Sequence, residues 1–230
     1  MRSLLLVPAD DETKLAAALA SEADAIALDF VGVARIDAAR AVAADLLARR
    51  LDRAVLVRVN ALESGLIDAD LDAIMPAAPA MIVLDDSVGG ASVQHLGVKL
   101  AVHEALRGLI DGATRILPIA ASARAMVAMG GYRGCSARLA GLGWGGSDIA
   151  IGAQTARADG AWTAPFMLAR SLTLFAAAAA GVPAFDAPYE DLADDAGLAA
   201  EARAARRDGF SGKIAIDASQ VGPINAAFAR

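Results

Sequence analysis

Short apolar runs alternate with longer, alanine-rich amphipathic stretches along the whole chain of 230 residues, and this alternation limits the fold more than any other feature. Runs of about four to eight apolar residues have the length of strands buried on both faces. Apolar positions recurring at i, i+3 and i+4 over longer stretches mark helices. The runs predict strands at 3–7, 25–29, 54–59, 81–84, 115–119, 138–142, 183–185 and 213–216. Helical patterns cover 12–21, 36–49, 91–109, 122–130, 162–180 and 193–207, with a shorter helix over 66–74 and a final one after Gln220. Strands that alternate with helices pair in parallel through right-handed crossovers. Eight such units close into a (β/α)8 TIM barrel, an α/β fold that occupies residues 1–230 as one domain without a linker. An open doubly wound sheet made of the same units is the alternative.

Composition removes several classes of function. The net charge is −6 and the pI about 4.9, with no basic run, so nucleic acid is not an expected partner. The longest apolar run, 174–182, is interrupted by Gly181 and falls short of the roughly 20 residues that span a bilayer. The apolar start SLLLVP meets Pro8 and then acids, unlike a secretory signal, which makes the cytoplasm the expected location. The single Cys135 allows neither an intrachain disulfide nor a thiolate metal cluster, and reads as a buried thiol. His95 and His103 are eight apart, where a helical metal pair stands four apart. Hydrophobic content of 57% and a mean hydropathy of +0.47 exceed what one small barrel hides, which points to a homo-oligomer.

Barrel active sites lie at the carboxyl ends of the strands. Here those ends carry Pro8 and Asp10, Asp29, Arg58 and Asn60, Asp85 and Asp86, Pro118, Asp148, Asp186 and Asp217. The segment GLGWGGSD brings a glycine-rich corner, 143–146, up to Asp148, and glycine lets backbone approach a ligand closely. Clustered carboxylates repel one another and call for a cation; Arg58 is one, and a divalent ion with oxygen ligands, Mg²⁺ above all, is another. Any one of these aspartates can instead cap the helix that follows, as expected for Asp10 and Asp194.

Five collinear segments, RSLLLVPAD, VLVRVNALESG, LAGLGWGGSDIAIGA, GVPAFDAPYEDLADDAGL and GFSGKIAIDASQVGPINAAF, resemble the citrate lyase β-subunit-like family of the HpcH/HpaI aldolase and citrate lyase superfamily. The resemblance implies a (β/α)8 barrel, oligomeric and often trimeric. It also implies a lyase that makes or breaks a carbon–carbon bond between a small 2-oxo acid and an acyl thioester, with Mg²⁺ polarising the oxo-acid carbonyl. By resemblance Arg58 matches the family arginine that stabilises enolate or carboxylate charge, and Asp148 matches a metal ligand. Asp29 is retained as a catalytic candidate, and Arg2, Asn60, Gly145 and Gly146 join Arg58 as substrate-binding candidates.

The departures from the family pattern are specific. The usual Glu-Asp pair after the second strand is Val31-Gly32, and a Pro-Lys pair is Asp85-Asp86. A metal-binding glutamate is Ala121, the usual Glu before the metal aspartate is Ser147, and a His-Pro pair is Asp217-Ala218. A metal site moved to Asp148 with Asp86, helped by Asp29, is one consequence; decay of the site, with Asp85-Asp86 only capping a turn, is the other. Accordingly, a barrel that binds a carboxylate or CoA-like ligand without turnover, or serves as an assembly subunit, stands beside the lyase, as does an enzyme with a metal-free reaction. Arg124 is expected to pair with a carboxylate or phosphate, Lys213 to be structural, and Trp144 to wall the pocket or pack beneath it.

Overall fold

The computed structural model describes residues 1–153, 155–158 and 160–229. Its strands are β1 (Ser3–Pro8), β2 (Ala25–Asp29), β3 (Ala54–Val59), β4 (Met81–Leu84), β5 (Arg115–Ala120), β6 (Leu142–Trp144), β7 (Arg157–Ala158), β8 (Ala161–Trp162), β9 (Ala184–Asp186) and β10 (Gly212–Ala215). The helices are α1 (Glu12–Ala20), α2 (Ile36–Ala48), α3 (Ile67–Ile74), α4 (Gly89–Leu106), α5 (Ala123–Val127), α6 (Ala164–Ala180), α7 (Asp195–Asp208) and α8 (Val221–Ala227). All strands except β7 and β8 form a closed parallel barrel in the order β1-β10-β9-β6-β5-β4-β3-β2. Because β1 pairs with both β2 and β10, the fold is the (β/α)8 barrel and not an open sheet. No helix among the described residues is long and apolar enough to cross a membrane.

The elements differ from expectation mainly around the glycine corner. The sixth strand starts at Leu142, not at 138, and the earlier residues contribute a single parallel bridge between Ile116 and Leu139. Gly143, in the middle of the observed strand, faces the barrel interior, where a Cβ would stand 3.3 Å from Ile119 and 3.5 Å from Ile214. Residues 161–162 pair with 157–158 in an antiparallel hairpin, so α6 begins two residues later than its apolar pattern. Asp11, not Asp10, caps α1 by accepting from the Lys14 N–H, while Asp194 caps α7 as expected.

Two apolar layers fill the molecule. Leu4, Leu6, Ala25, Ala27, Leu56, Val83, Leu117, Ile119, Phe185 and Ile214 fill the barrel interior, and a larger cluster fills the space between strands and helices. Strand side chains alternate with a period of two. Carried toward the carboxyl ends, the inward row becomes Pro8, Asp29, Arg58, Asp85, Ala121, Gly145, Ala187 and Ile216. Parallel register sets Pro8 beside Asp29, and Asp29 beside Arg58.

Between the barrel and its helices, buried charges are paired. Asp186, fully buried on β9, accepts from Trp144 Nε1 (3.0 Å), Arg170 Nε (3.1 Å) and Lys213 Nζ (3.2 Å), tying β6, β9, β10 and α6 together. Burial alone would raise the Asp186 pKa, but Lys213 and Arg170 outweigh it and keep the carboxylate charged. Lys213 therefore has a structural place, as expected, and Trp144 packs beneath the mouth. Glu104 on α4 is likewise buried, accepting from Arg138 Nη1 (2.8 Å) and Nη2 (2.7 Å) and from the N–H groups of Gly112 and Thr114.

Removing one partner of such a buried group leaves the others uncompensated, at a cost of about 3–5 kcal/mol. Asp186→Asn is expected to lose about that much in urea melts, whereas a surface change such as Asp45→Asn stays within about 0.5 kcal/mol. For Glu104, burial pushes the carboxyl up, but Arg138 and the two N–H groups hold it at about 2, below its ordinary 4.5. A depressed folded-state pKa contributes stability above the unfolded value and loses it as pH falls through the folded one. Glu104→Gln is thus expected to be about 3 kcal/mol less stable at pH 7, with the gap to wild type closing between pH 4.5 and about 2. Chemical melts across that range check it; a gap independent of pH rules it out.

Candidate active site at the carboxyl mouth of the barrel

The inward row of polar residues opens into a cleft of about 330 Å³ lined by Leu6, Pro8, Lys14, Asp29, Arg58, Gly145, Asp148, Pro188, Glu190, Leu192 and Ile216. At its floor, Arg58 donates from Nη1 to Asp29 Oδ2 at 3.1 Å and from Nη2 to Asp85 Oδ1 at 2.5 Å. All three side chains are less than 15% exposed. Arg58 Nε is buried without a hydrogen-bond partner among the described residues. The arrangement follows from register, since Asp29 and Arg58 are neighbours in the hydrogen-bonded row and Asp85 follows the inward-facing Val83.

The electrostatics of the cleft are those of one buried cation among several acids. Burial raises the Asp29 pKa; Arg58 and the Val31 N–H, which donates to Oδ1 at 2.9 Å, oppose it without cancelling it. Burial would lower the Arg58 pKa, yet Asp29 and Asp85 more than compensate and keep the guanidinium charged. Asp148 opens onto the cleft from the short 3-10 turn that follows β6. Partial burial raises its pKa, Arg58 works against this, and Glu190 and Asp85 raise it further.

Glycine at 145 and 146 sets the depth of the corner. A Cβ on Gly145 would come within 2.8 Å of Ala121 Cβ, so the two residues stand back to back across β5 and β6. Gly146 has φ +62° and packs on Ala187 and Trp162, which places it beneath the cleft instead of in its wall.

Of the remaining candidates, the structure places several elsewhere. Arg2 sits at the amino end of β1, far from the mouth, in a pair with Asp24 at 2.6 Å; its place before the strand, not after it, explains this. Asn60 is buried, its side chain donating to Asp70 Oδ2 at 2.9 Å; Asp70 also pairs with Arg40, so Asn60 stabilises the loop after β3. Asp86 has the opposite parity to Asp85. With φ +34°, it turns to accept the Ala121 N–H at 3.3 Å and does not line the cleft. Arg124 is exposed and pairs with Glu63 at 3.5 Å, and Cys135 is a half-buried thiol with a pKa raised by burial. Lys14 and Glu190 line the cleft without a signal in the strand-end pattern, and the metal position expected at Asp86 gives way to Asp85 on the floor. The period-two rule counted from Val83 would have chosen Asp85.

These residues do not fit a resident magnesium ion. Asp29 and Asp85 are bound to Arg58, Asp86 to a backbone N–H, and the inward position just after β5 carries the methyl group of Ala121. Among the described residues no three His, Cys, Asp or Glu gather as a metal set. Of the acids lining the cleft, Asp148 and Glu190 have side chains without a hydrogen bond among the described residues.

Comparison with known proteins agrees with the architecture. The family model described as HpcH/HpaI aldolase/citrate lyase matches residues 2–218. A citrate lyase subunit beta-like protein of Mycobacterium tuberculosis is 31% identical over 97% of this chain and 77% of its own length. The mitochondrial citramalyl-CoA lyase of Rattus norvegicus is 29% identical over 99% of this chain and 71% of its own. The crystal structure of CitE from Mycobacterium tuberculosis in complex with magnesium, acetoacetate and coenzyme A superimposes with a TM-score of 0.84 at 30% identity, covering 100% of this chain and 81% of that one.

If Ala121 is what removes the metal, returning a carboxylate there should restore it. Ala121→Glu is expected to bind Mg²⁺ at least about tenfold more tightly than wild type, since even residues that merely support a metal ligand are worth roughly 10–100-fold. The gain should vanish in Ala121→Glu/Asp148→Ala. Calorimetry with Mg²⁺ and Mn²⁺ decides it; wild type binding as tightly as the variant would remove the argument.

Proposed function

The chain belongs to the HpcH/HpaI aldolase/citrate lyase family, and from that premise we propose that it is a carbon–carbon lyase acting on a small 2-oxo acid and an acyl thioester in the barrel-mouth cleft. The observation that carries this reading is the Arg58 guanidinium, fixed on the cleft floor by Asp29 and Asp85. In cleavage, the hydroxyl of a 3-hydroxyacyl thioester loses its proton and the carbon–carbon bonding pair passes to the thioester fragment. The oxo acid leaves with a new carbonyl, and the thioester enolate is protonated at carbon. Negative charge thus develops on the thioester oxygen. A preorganised cation in a water-poor site stabilises such developing charge without having to reorganise.

The proton falls to a carboxylate. Asp29 and Asp148 both line the cleft, and burial raises the pKa of each, which makes a carboxylate a stronger proton acceptor. Gly145 leaves room for a ligand beside them. Magnesium has no step in this reading, because the donor set at β5 and β6 lacks a second carboxylate. The same loss at Ala121 favours the second reading, a barrel that binds a carboxylate or CoA-like ligand without converting it. Homo-oligomerisation, a trimer included, is part of the proposal: Val98, Val102 and Leu106 on α4, and Leu168 and Phe175 on α6, are large apolar side chains left exposed on one chain.

The test is to incubate the protein with acetyl-CoA and either oxaloacetate or glyoxylate, with and without Mg²⁺, and to follow the condensed thioester by mass spectrometry. The expected outcome is a product whose rate Arg58→Ala lowers by at least about 100-fold, the effect of losing one preorganised donor to an oxyanion. Binding of either ligand without conversion selects the second reading. Absence of both binding and conversion rejects the two together.

A further inference from the structure

We propose that Lys14 is the residue that anchors the anionic end of the ligand, its ammonium binding a carboxylate or phosphate oxygen at the rim of the cleft; this rests on the lyase-family reading above. The first argument is position. Lys14 lies in the first turn of α1, directly after β1, where the Asp11 carboxylate accepts its backbone N–H at 3.0 Å and fixes the turn. Its exposed side chain lines the 330 Å³ cleft and also an adjoining cavity of about 150 Å³. The two cavities share Leu6, Lys14 and Ile216, so Lys14 stands at their junction. Beyond it the smaller cavity is largely apolar, walled by Leu5, Val7, Ala17 and Ala218.

The second argument is charge. The cleft and its floor hold Asp29, Asp85, Asp148 and Glu190 against a single buried cation, Arg58. Both terminal nitrogens of Arg58 already donate to aspartates, so an incoming anion would meet more negative than positive charge there. Lys14 is the other cation lining the cleft, and among the described residues its Nζ makes no ion pair and no hydrogen bond. Asp217, which shares the smaller cavity, feels the Lys14 charge but forms no ion pair with it; its carboxylate accepts from the Ser219 N–H and hydroxyl at 2.9 and 2.8 Å, which leaves the ammonium open to a ligand.

The third argument is chemistry. Lysine is a compact charge on a flexible stem, suited to meeting a carboxylate or a phosphate at varied angles, whereas Arg58 is held in one orientation. The two cations divide the work. Arg58 faces charge that appears during reaction, and Lys14 faces charge that the ligand brings with it.

The test titrates oxaloacetate and acetyl-CoA separately into wild type, Lys14→Met and Lys14→Arg. Lys14→Met is expected to weaken one of the two ligands by about tenfold or more, as loss of a hydrogen bond to a charged group does. Lys14→Arg should recover most of the affinity, and the deficit should shrink between about 0.05 and 0.5 M salt as charges at the rim are screened. Because the side chain is exposed, thermal melting should not move. Loss for oxaloacetate assigns Lys14 to the acid's carboxylate. Loss for acetyl-CoA, with inorganic pyrophosphate competing only in wild type, assigns it to a phosphate. Equal binding of both ligands by Lys14→Met and wild type overturns the role of Lys14 alone, while a wild type that binds neither ligand overturns the proposed lyase function and this inference with it.

Discussion

Everything at the mouth of this barrel depends on the register of β1, β2 and β3. Parallel pairing puts Pro8, Asp29 and Arg58 in one row, and the period of two points the latter pair inward above a floor of Leu4, Leu6, Ala25, Ala27 and Leu56. A slip of one residue in β3 would turn Arg58 toward the helices and aim Val57 or Val59 into the cleft. The slip is forbidden because it would bury the Arg58 guanidinium in the apolar layer between barrel and helices, away from Asp29 and Asp85. Packing in the interior and chemistry at the rim are thus set by one hydrogen-bonding pattern.

The charges above that floor are arranged in two ways that serve different ends. Asp186 with Lys213, Arg170 and Trp144, and Glu104 with Arg138, are satisfied on nearly every side and sit between barrel and helices. Such groups hold elements in place. At the mouth the balance is left uneven: Arg58 is flanked by two aspartates, while Asp148 and Glu190 have no counter-charge in contact among the described residues. Unequal charge at the open end of a rigid scaffold is the condition under which a ligand's own charge decides binding.

The eight strand-helix units, the closed barrel and the approach of Arg58, Asp29, Gly145 and Asp148 to one cleft were all legible in the residues. Strand runs such as AIALD and VLVRV carry both their buried length and the polar residue at their end. Three matters were not legible, for separate reasons. The start of β6 is not legible because Leu139, Ala140 and Leu142 outweigh Gly143 in any propensity argument, whereas in the barrel the glycine faces Ile119 and Ile214 with little room for a Cβ. Asn60 reads as a mouth residue until Asp70, ten positions on in α3, is seen to take its side chain. Lys14 follows a strand in an ordinary first turn of helix, and only the cavities on either side of it single it out.

The clamp on Arg58 has one more consequence. An arginine whose charge is already balanced by two carboxylates draws the small ions of its surroundings only weakly: chloride or inorganic phosphate would meet Asp29 and Asp85 beside the N–H groups that remain. An oxygen whose charge grows in place, a few bonds from atoms that are already seated, faces no such competition, since it strengthens an electrostatic field that was there before it arrived. The salt bridges therefore act as a filter in time as well as in space, leaving the guanidinium indifferent to anions that come ready-made and responsive to one that is being formed.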